Sequence, residues 1–299
     1  MVRSRSAAVT ITLVTLSLCA PLRAAVSTVV RFNSVVGTWD VRLYNTATPL
    51  TVANFLSYAN SGRYNDSFIH RRATGFVIQG GGYTFTNSGG VVNIPEDPPV
   101  LNEFGISNLR GTIAMAKLGG DPNSATSEWF FSLADNSANL DFQNGGFTVF
   151  GRVLGTGMTT VDAIAALPIV NAGGAFNTLP VRNFTGGVIM DENLVNFNSI
   201  AVQAFTPGDY NFDGAVNTLD YNIWKADYGS TTKAEADGNG DGVVNAADYA
   251  IWRDNRTGAA VVAAGAVPEP GTMTILLAAC GLAGWAARRT AAHKKAGLE

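Results

Sequence analysis

Cysteine and histidine are scarce in this chain, two of each in 299 residues, and charged residues make up only 14%. Cys19 and Cys280 each lie in an apolar terminal stretch, so the middle of the chain has no disulfide framework, thiolate zinc site or cysteine nucleophile. Of the two imidazoles, His293 sits in a basic tail, and a Ser-His-Asp arrangement would rest on His70 alone. His70 follows apolar Phe68 and Ile69 in an expected strand, which points to a hydrogen-bonded core histidine rather than a general base. No phosphate loop is present either, because Gly80-Gly81-Gly82 lacks the lysine and the following helix. Positive charge collects only at the ends. Arg3, Arg5, Arg23, Arg288, Arg289, Lys294 and Lys295 take seven of the 20 bases, and with Glu269 and Glu299 set aside the body carries a net charge of -8. Such a body has no footprint for nucleic acid.

What is present is a globular composition, 46% hydrophobic with 33 glycines, and a length that suggests about two folded units. It excludes a disordered chain, a coiled coil and a collagen. At the N-terminus, two arginines precede an apolar run from about Ala7 to Cys19, then Pro21 and the small residues Ala24 and Ala25. Residues 1–25 read as a secretory signal peptide, since the apolar core is too short for a stable span. A buried helix fits these flanks less well, and Leu18 stands where a lipoprotein signal carries a small residue. At the other end, Val267-Pro-Glu-Pro270 precedes an apolar stretch from about Thr272 to Ala287 and then Arg288-Arg289. The flanking bases orient that stretch, read as a membrane helix, with its C-terminus cytoplasmic. Residues 267–299 resemble the PEP-CTERM sorting signal, which implies cleavage by an exosortase-type protease; plain tail anchoring is the alternative. Residues 258–266 are a small-residue linker.

Upstream, residues 206–257 contain a repeat of period 28. Asp209 to Lys225 aligns with Asp237 to Arg253, and ten of 17 paired positions are identical. Both copies carry oxygen side chains at alternate positions followed by glycine at the sixth, the pattern by which a short segment converges on a hard cation. The expected ligands are Asp209, Asn211, Asp213, the Ala215 carbonyl, Asn217 and Asp220 in one loop. In the other they are Asp237, Asn239, Asp241, the Val243 carbonyl, Asn245 and Asp248. Asp220 and Asp248 stand on the first turn of a helix. Tyr221, Ile223, Trp224, Tyr249, Ile251 and Trp252 fall at helical spacing and read as a shared core. The pair resembles a type I dockerin, a small α-helical domain, which implies two calcium ions and a cohesin-like partner. The partner-choosing positions are then Thr218-Leu219 and Ala246-Ala247, which differ between the halves. None of the acids in the main domain has loop spacing, so that domain is expected to hold without cation.

From 26 to 205 the pattern is mainly β. Val29–Phe32 and Trp39–Tyr44 form a hairpin, and Pro49 and Thr51 open a helix stopped by Gly62. Further strands are expected at 66–71, 76–80, 111–117, 129–133 and 147–153, with a second helix over 159–166. Many short strands argue for a closed antiparallel barrel. Pro168 to Glu192, rich in Gly and Asn, reads as an extended surface loop.

Thr51-Val-Ala-Asn-Phe55, Phe68-Ile-His-Arg71, Gly75-Phe-Val-Ile-Gln-Gly-Gly81, Gly111-Thr-Ile-Ala-Met-Ala116, Asp121-Pro-Asn-Ser-Ala-Thr-Ser-Glu-Trp-Phe-Phe131 and Val149-Phe-Gly-Arg-Val153 resemble a bacterial cyclophilin, in the same order. The resemblance implies a closed eight-stranded barrel with two capping helices and peptidyl-prolyl cis-trans isomerase activity without a cofactor. It assigns Arg71 as the catalytic arginine and Phe76, Val77, Phe130 and Leu140 as the proline pocket. Gln79, Ala116 and Asn123 would hold the flanking chain, and Phe147 stands where the family has His or Tyr. Asn139 replaces an aromatic wall residue, Lys117 replaces Asn or Arg, and Glu128 replaces Gln. The whole is expected to be an exported isomerase acting on proline-containing protein or peptide substrates and tethered through a calcium-dependent module. One rival is a proline-peptide binder without turnover, which the altered wall at Asn139 permits. The other is a structural cell-surface protein that uses the barrel as a scaffold.

Overall fold

A computed structural model describes residues 26–257; the expected signal peptide, linker, sorting motif and C-terminal membrane helix lie outside the described residues. Among the described residues no helix is long and apolar enough to cross a membrane. In chain order the elements begin with β1 (Val29–Ser34), β2 (Thr38–Leu43), α1 (Pro49–Asn60), β3 (Arg71–Ala73), β4 (Val77–Gly80), β5 (Tyr83–Thr86) and β6 (Gly90–Asn93). They continue with β7 (Thr112–Met115), β8 (Trp129–Ser132), α2 (Ser137–Leu140), β9 (Val149–Val153), α3 (Met158–Ala165), β10 (Ile169–Val170), β11 (Leu179–Pro180) and β12 (Phe197–Gln203). Two helices follow, α4 (Thr218–Asp227) and α5 (Ala246–Asp254).

Eight strands form one antiparallel sheet in the order β12-β1-β2-β9-β7-β8-β4-β3. Side chains alternate across it, as the pleat requires. Phe32, Trp39, Ile78, Trp129, Phe131, Phe150 and Phe197 point inward to the main core, together with Val52 and Phe55 of α1 and Val161 and Ile164 of α3. Their rings interlock edge to face, for example Phe32 with Trp129 at 5.3 Å and 84°. The two capping helices are therefore present.

The sheet curls but does not close, which corrects the expectation of a closed barrel. Its edges, β3 and β12, share no ladder. Near the gap there is an isolated bridge between Phe68 and Asn196, with backbone bonds from Ile69 N to Val195 O (3.1 Å) and from Asp66 N to Phe197 O (2.8 Å). The strand expected over 66–71 does not form as one run: Asp66 takes a left-handed φ of 59°, Ser67 and Phe68 make only isolated bridges, and ladder pairing begins at Arg71. The 168–192 segment is also more than a surface loop. It carries the β10–β11 pair, and its Leu179 and Val181 are buried with Phe68 and Leu194.

The repeat folds as two loop-helix units around Tyr210, Val216, Ala236, Val244 and Trp252, so the aromatic residues at helical spacing do form a shared core. Trp224 Nε1 donates to the Asn245 carbonyl at 2.8 Å, and Trp252 Nε1 donates to the Asn217 carbonyl at 2.7 Å. Each helix thus closes the loop of the other repeat.

This module packs on strand β2. Arg42, completely buried, donates through Nη1 to Ser27 Oγ (2.7 Å) and the Asp237 carbonyl (3.2 Å), and through Nη2 to the Glu235 carbonyl (3.0 Å). The Thr46 and Ala47 amides both donate to the Gly240 carbonyl, at 3.1 and 3.2 Å. Gly240 has φ +67°, and a Cβ there would lie 2.7 Å from the Leu43 carbonyl oxygen and 2.8 Å from the Asn45 nitrogen. Phe212, at the same position of the first loop, also takes a positive φ (61°), yet it is exposed, and its ring lies 5.7 Å from the Arg42 guanidinium. Only the second loop meets the barrel so closely that a side chain at this position cannot be accommodated.

Candidate functional site

Residues directly opposite in an antiparallel ladder share a face. Arg71 pairs with Gln79, Gln79 with Phe130, Phe130 with Ala114, and Ala114 with Val149, so one row crosses five strands on the outer face of the sheet. Because Ile78, Trp129 and Phe131 take the inner face, their neighbours Val77, Gln79 and Phe130 face outward. A second apolar cluster forms there from Tyr44, Val77, Ala114, Phe130, Leu140 and Val149, with Phe76, Ala116 and Phe147 partly covered.

Over this cluster lies a groove of about 280 Å³. It gathers Arg71, Phe76, Val77, Gln79, Ala116, Phe130, Leu140 and Phe147, that is, every expected groove residue except Asn123. Asn123 instead ties its loop to the segment before it, its Oδ1 accepting from Asn102 N at 2.9 Å. Ala116 has already used its N–H on the Glu128 carbonyl at 2.9 Å, which leaves its carbonyl for a ligand. Phe130 and Phe147 meet edge to face at 5.8 Å. Asn139 lines the groove from an exposed position, so that wall is polar and open.

Gln143 and Lys117 also line the groove; of the two, the sequence marks only Lys117, as a departure from the family pattern. No motif flags Gln143, which stands in a single 3-10 turn. Lys117 Nζ donates to the carbonyls of Asn144 (2.8 Å) and Gly146 (2.6 Å) and lies 4.9 Å from the Phe147 ring. Burial lowers its pKa, and its function is to tie the 143–147 turn to the end of β7.

Arg71 Nη1 donates to Gln79 Oε1 at 3.1 Å, and Gln79 Nε2 donates to Glu128 Oε2 at 2.6 Å. Behind them, His70 is buried against the Tyr83 ring at 4.9 Å. Burial, with a smaller contribution from Arg71, pushes its pKa down to about 4. Its Nε2 is 3.6 Å from Glu128 Oε2, a contact of a neutral ring rather than an ion pair, and its Nδ1 has no partner. His70 is a core residue as expected, but it lacks the expected hydrogen bond.

The repeat loops turn their carboxylates inward. Asp220 Oδ1 accepts from Tyr210 N (2.7 Å) and Asn211 N (3.1 Å), while Asp209 Oδ2 accepts from Gly214 N (2.9 Å). In the second loop Asp248 Oδ1 accepts from Asn239 N (3.1 Å) and Asp237 Oδ2 from Gly242 N (2.9 Å). All four carboxylates are buried. Burial, with Asp248 as the next cause, pushes Asp237 up to about 7; burial pushes Asp248 to about 6. Among the described residues no three His, Cys, Asp or Glu side chains converge as a ready metal cluster. Asp213 Oδ2 instead accepts from Asn211 Nδ2 (2.8 Å), and Asp241 Oδ2 from Asn239 Nδ2 and Asn245 Nδ2 (2.9 Å each). Asn217 Oδ1 and Asn245 Oδ1 are used as helix caps, accepting from Leu219 N and Ala247 N. The donor set is all oxygen; Asp209 and Asp220 are buried together, and Asp237 and Asp248 have only the Arg42 guanidinium for two carboxylates, which fits a hard divalent cation in kind.

The comparisons agree with the geometry. Residues 29–185 match the family model for cyclophilin type peptidyl-prolyl cis-trans isomerases. Residues 207–253 match that of the dockerin type I domain and residues 266–289 that of the PEP-CTERM protein-sorting motif. A peptidyl-prolyl cis-trans isomerase of Acinetobacter baylyi is 38% identical over 151 residues, 48% of this chain and 76% of the relative. Peptidyl-prolyl cis-trans isomerase A of Dickeya dadantii is 38% identical over 174 residues, 56% of this chain and 88% of the relative. Isomerase B of Escherichia coli is 35% identical over 150 residues, covering 48% and 88%.

Proposed function

Because the chain belongs to the cyclophilin-type peptidyl-prolyl cis-trans isomerases, we propose that the groove at Arg71 isomerises X-Pro bonds of protein clients and that the rest of the chain exports and tethers this activity. Rotation about an X-Pro bond is slow because amide resonance must be lost, at a cost of about 18–20 kcal/mol. No bond is made, so the enzyme needs only to bind the twisted amide better than the planar one. Phe76, Val77, Phe130, Leu140 and Phe147 would grip the proline ring, and Gln79 and the Ala116 carbonyl would hold the flanking chain. The guanidinium of Arg71 would then donate to the prolyl nitrogen, whose lone pair becomes available only in the twisted state. The observation that carries this reading is the row Arg71–Gln79–Phe130, which sets one fixed cationic donor beside an apolar pocket.

Calcium would be held by Asp209, Asn211, Asp213, Ala215, Asn217 and Asp220, and by Asp237, Asn239, Asp241, Val243, Asn245 and Asp248. A divalent ion would balance the buried carboxylates of the first loop and add to the single Arg42 charge beside the second. The two halves are unequal. Thr218 and Leu219 are exposed, with Leu219 at 57%, whereas at the matching positions Ala246 is exposed but Ala247 is half-buried, and the second loop packs against Thr46 and Ala47 through Gly240. A cohesin-like partner is therefore expected to use the first loop and α4. The sorting motif supports export and exosortase-type processing at the cell envelope, with the C-terminal segment in the membrane until it is cut. The test is a peptide isomerisation assay on the purified chain with calcium and with chelator. Turnover above the uncatalysed rate supports the reading. Peptide binding without turnover would leave only a proline-peptide binder.

A further inference from the structure

Glu128 lies one residue before β8, and the proposed chemistry gives it no task. Its Oε2 accepts from Gln79 Nε2 at 2.6 Å, and Gln79 in turn offers its Oε1 to Arg71 Nη1 at 3.1 Å. Gly82 makes room for this arrangement: a Cβ there would collide with Glu128 Oε1. A glutamine amide has a donor end and an acceptor end of nearly equal size, and only its neighbours decide which way it points. If the Gln79 amide turned over, its NH2 would face the N–H of Arg71, and the link between the two side chains would be lost.

We propose that Glu128 is a positioning residue of the isomerase: its ionised carboxylate, able only to accept, fixes the Gln79 amide with its oxygen toward Arg71 and so holds the guanidinium at the groove. This inference rests on the assignment of Arg71 as the group that meets the prolyl nitrogen. A protonated Glu128 can donate, the amide loses its imposed direction, and Arg71 loses its anchor. The arrangement therefore makes turnover fall on the acid side. Burial raises the pKa of Glu128, and the bond from Gln79 opposes that shift. The groups facing the carboxyl are His70 at 3.6 Å, Arg71, Glu96, and the Tyr64 and Tyr83 phenols; Lys117 and Asp121 share the same cavity wall. Among these, His70 also titrates on the acid side, at about 4, so a variant that removes only the Glu128 proton is needed.

The experiment measures kcat and KM by NMR exchange on a proline peptide, from neutral to acid pH, for the wild-type chain, Glu128→Gln and Glu128→Leu, with thermal midpoints for all three. The expected result for wild type is a kcat that falls as pH drops. Glu128→Gln keeps the shape and allows either amide direction. Its kcat should be about three- to tenfold lower at neutral pH, with KM little changed and the wild-type acid limb gone. Glu128→Leu, which offers no acceptor, should lose more. A Glu128→Gln chain with wild-type kcat and the wild-type acid limb would overturn the inference while leaving the isomerase intact, as would a loss in either variant that tracks only the thermal midpoint. An inactive wild-type chain would overturn the Arg71 assignment and this inference together.

Discussion

At the scale of single residues, the role proposed for Arg71 gives it high consequence for activity and low consequence for stability. It is half-buried, and its one side-chain hydrogen bond goes to Gln79. Arg71→Ala should therefore lower kcat/KM by roughly 10²- to 10³-fold, the usual effect of removing one donor aimed at the transition state, with the thermal midpoint almost unchanged. Arg71→Lys should recover little, since an ammonium lacks the planar fork. Retention of wild-type turnover in the alanine variant would refute the assignment. His70 behaves in the opposite way. Its folded pKa of about 4 lies below the ordinary 6.5, so the unfolded chain takes up the proton first as pH falls. The associated stability is complete above about pH 6.5, is lost progressively between 6.5 and 4, and amounts to about 3 kcal/mol at most. Glu128, shifted upward, runs in the other direction, so the comparison needs a His70 variant. The wild-type urea midpoint should fall relative to that of His70→Leu as pH drops across that window, and parallel curves would refute the argument. Phe68 and Ile69 already marked His70 as a core residue, but its missing hydrogen bond depends on ring neighbours distant in sequence.

Among the elements, α1 shows how a boundary can be legible while its cause is not. Pro49 marks the start, yet Thr48 makes no capping bond with its side chain. The orphan amides are met from a distance by Glu103, which accepts from Leu50 N (3.1 Å), Thr51 N (2.8 Å) and Thr51 Oγ1 (2.8 Å). A carboxylate at a helix N-terminus is favourable by both hydrogen bonding and the helix dipole. Glu103→Ala should cost about 1–2 kcal/mol, read as a lower urea midpoint with unchanged m-value. A neutral outcome would mean that water caps the helix equally well. In the repeat, by contrast, the caps were written locally. Asn217 with Asp220, and Asn245 with Asp248, form capping boxes within three residues, so the helix starts could be read directly from the loop pattern.

For the whole molecule, the decisive contact joins the second repeat loop to β2. The main domain was expected to hold without cation, but Arg42, Thr46 and Ala47 all bond to backbone carbonyls between Glu235 and Gly240. If calcium organises that loop, as proposed, it also holds the end of β2. Saturating calcium, at about 100 times its Kd, adds about 2.7 kcal/mol per ion. The full chain should then melt several degrees higher in calcium than in chelator. Hydrogen exchange at the amides of Thr46 and Ala47 should slow on calcium addition, and Asp237→Asn should abolish that slowing more fully than Asp209→Asn. Exchange there that ignores calcium while α4 and α5 respond would show two independent units. The sequence by itself determined what depends on short spacing. The oxygen side chains of the two loops repeat at fixed intervals, and strand alternation sends Trp129 inward and Phe130 outward. The sorting motif near the C-terminus was likewise readable, because it is a local run of charge and hydropathy. Only the tertiary structure decided that the sheet stays open between β3 and β12, that Glu103 caps α1, that Glu128 holds Gln79, and that Arg42 is buried under the second loop. Each of these joins residues 40 or more positions apart or turns on one backbone angle, and neither leaves a periodic trace in the chain.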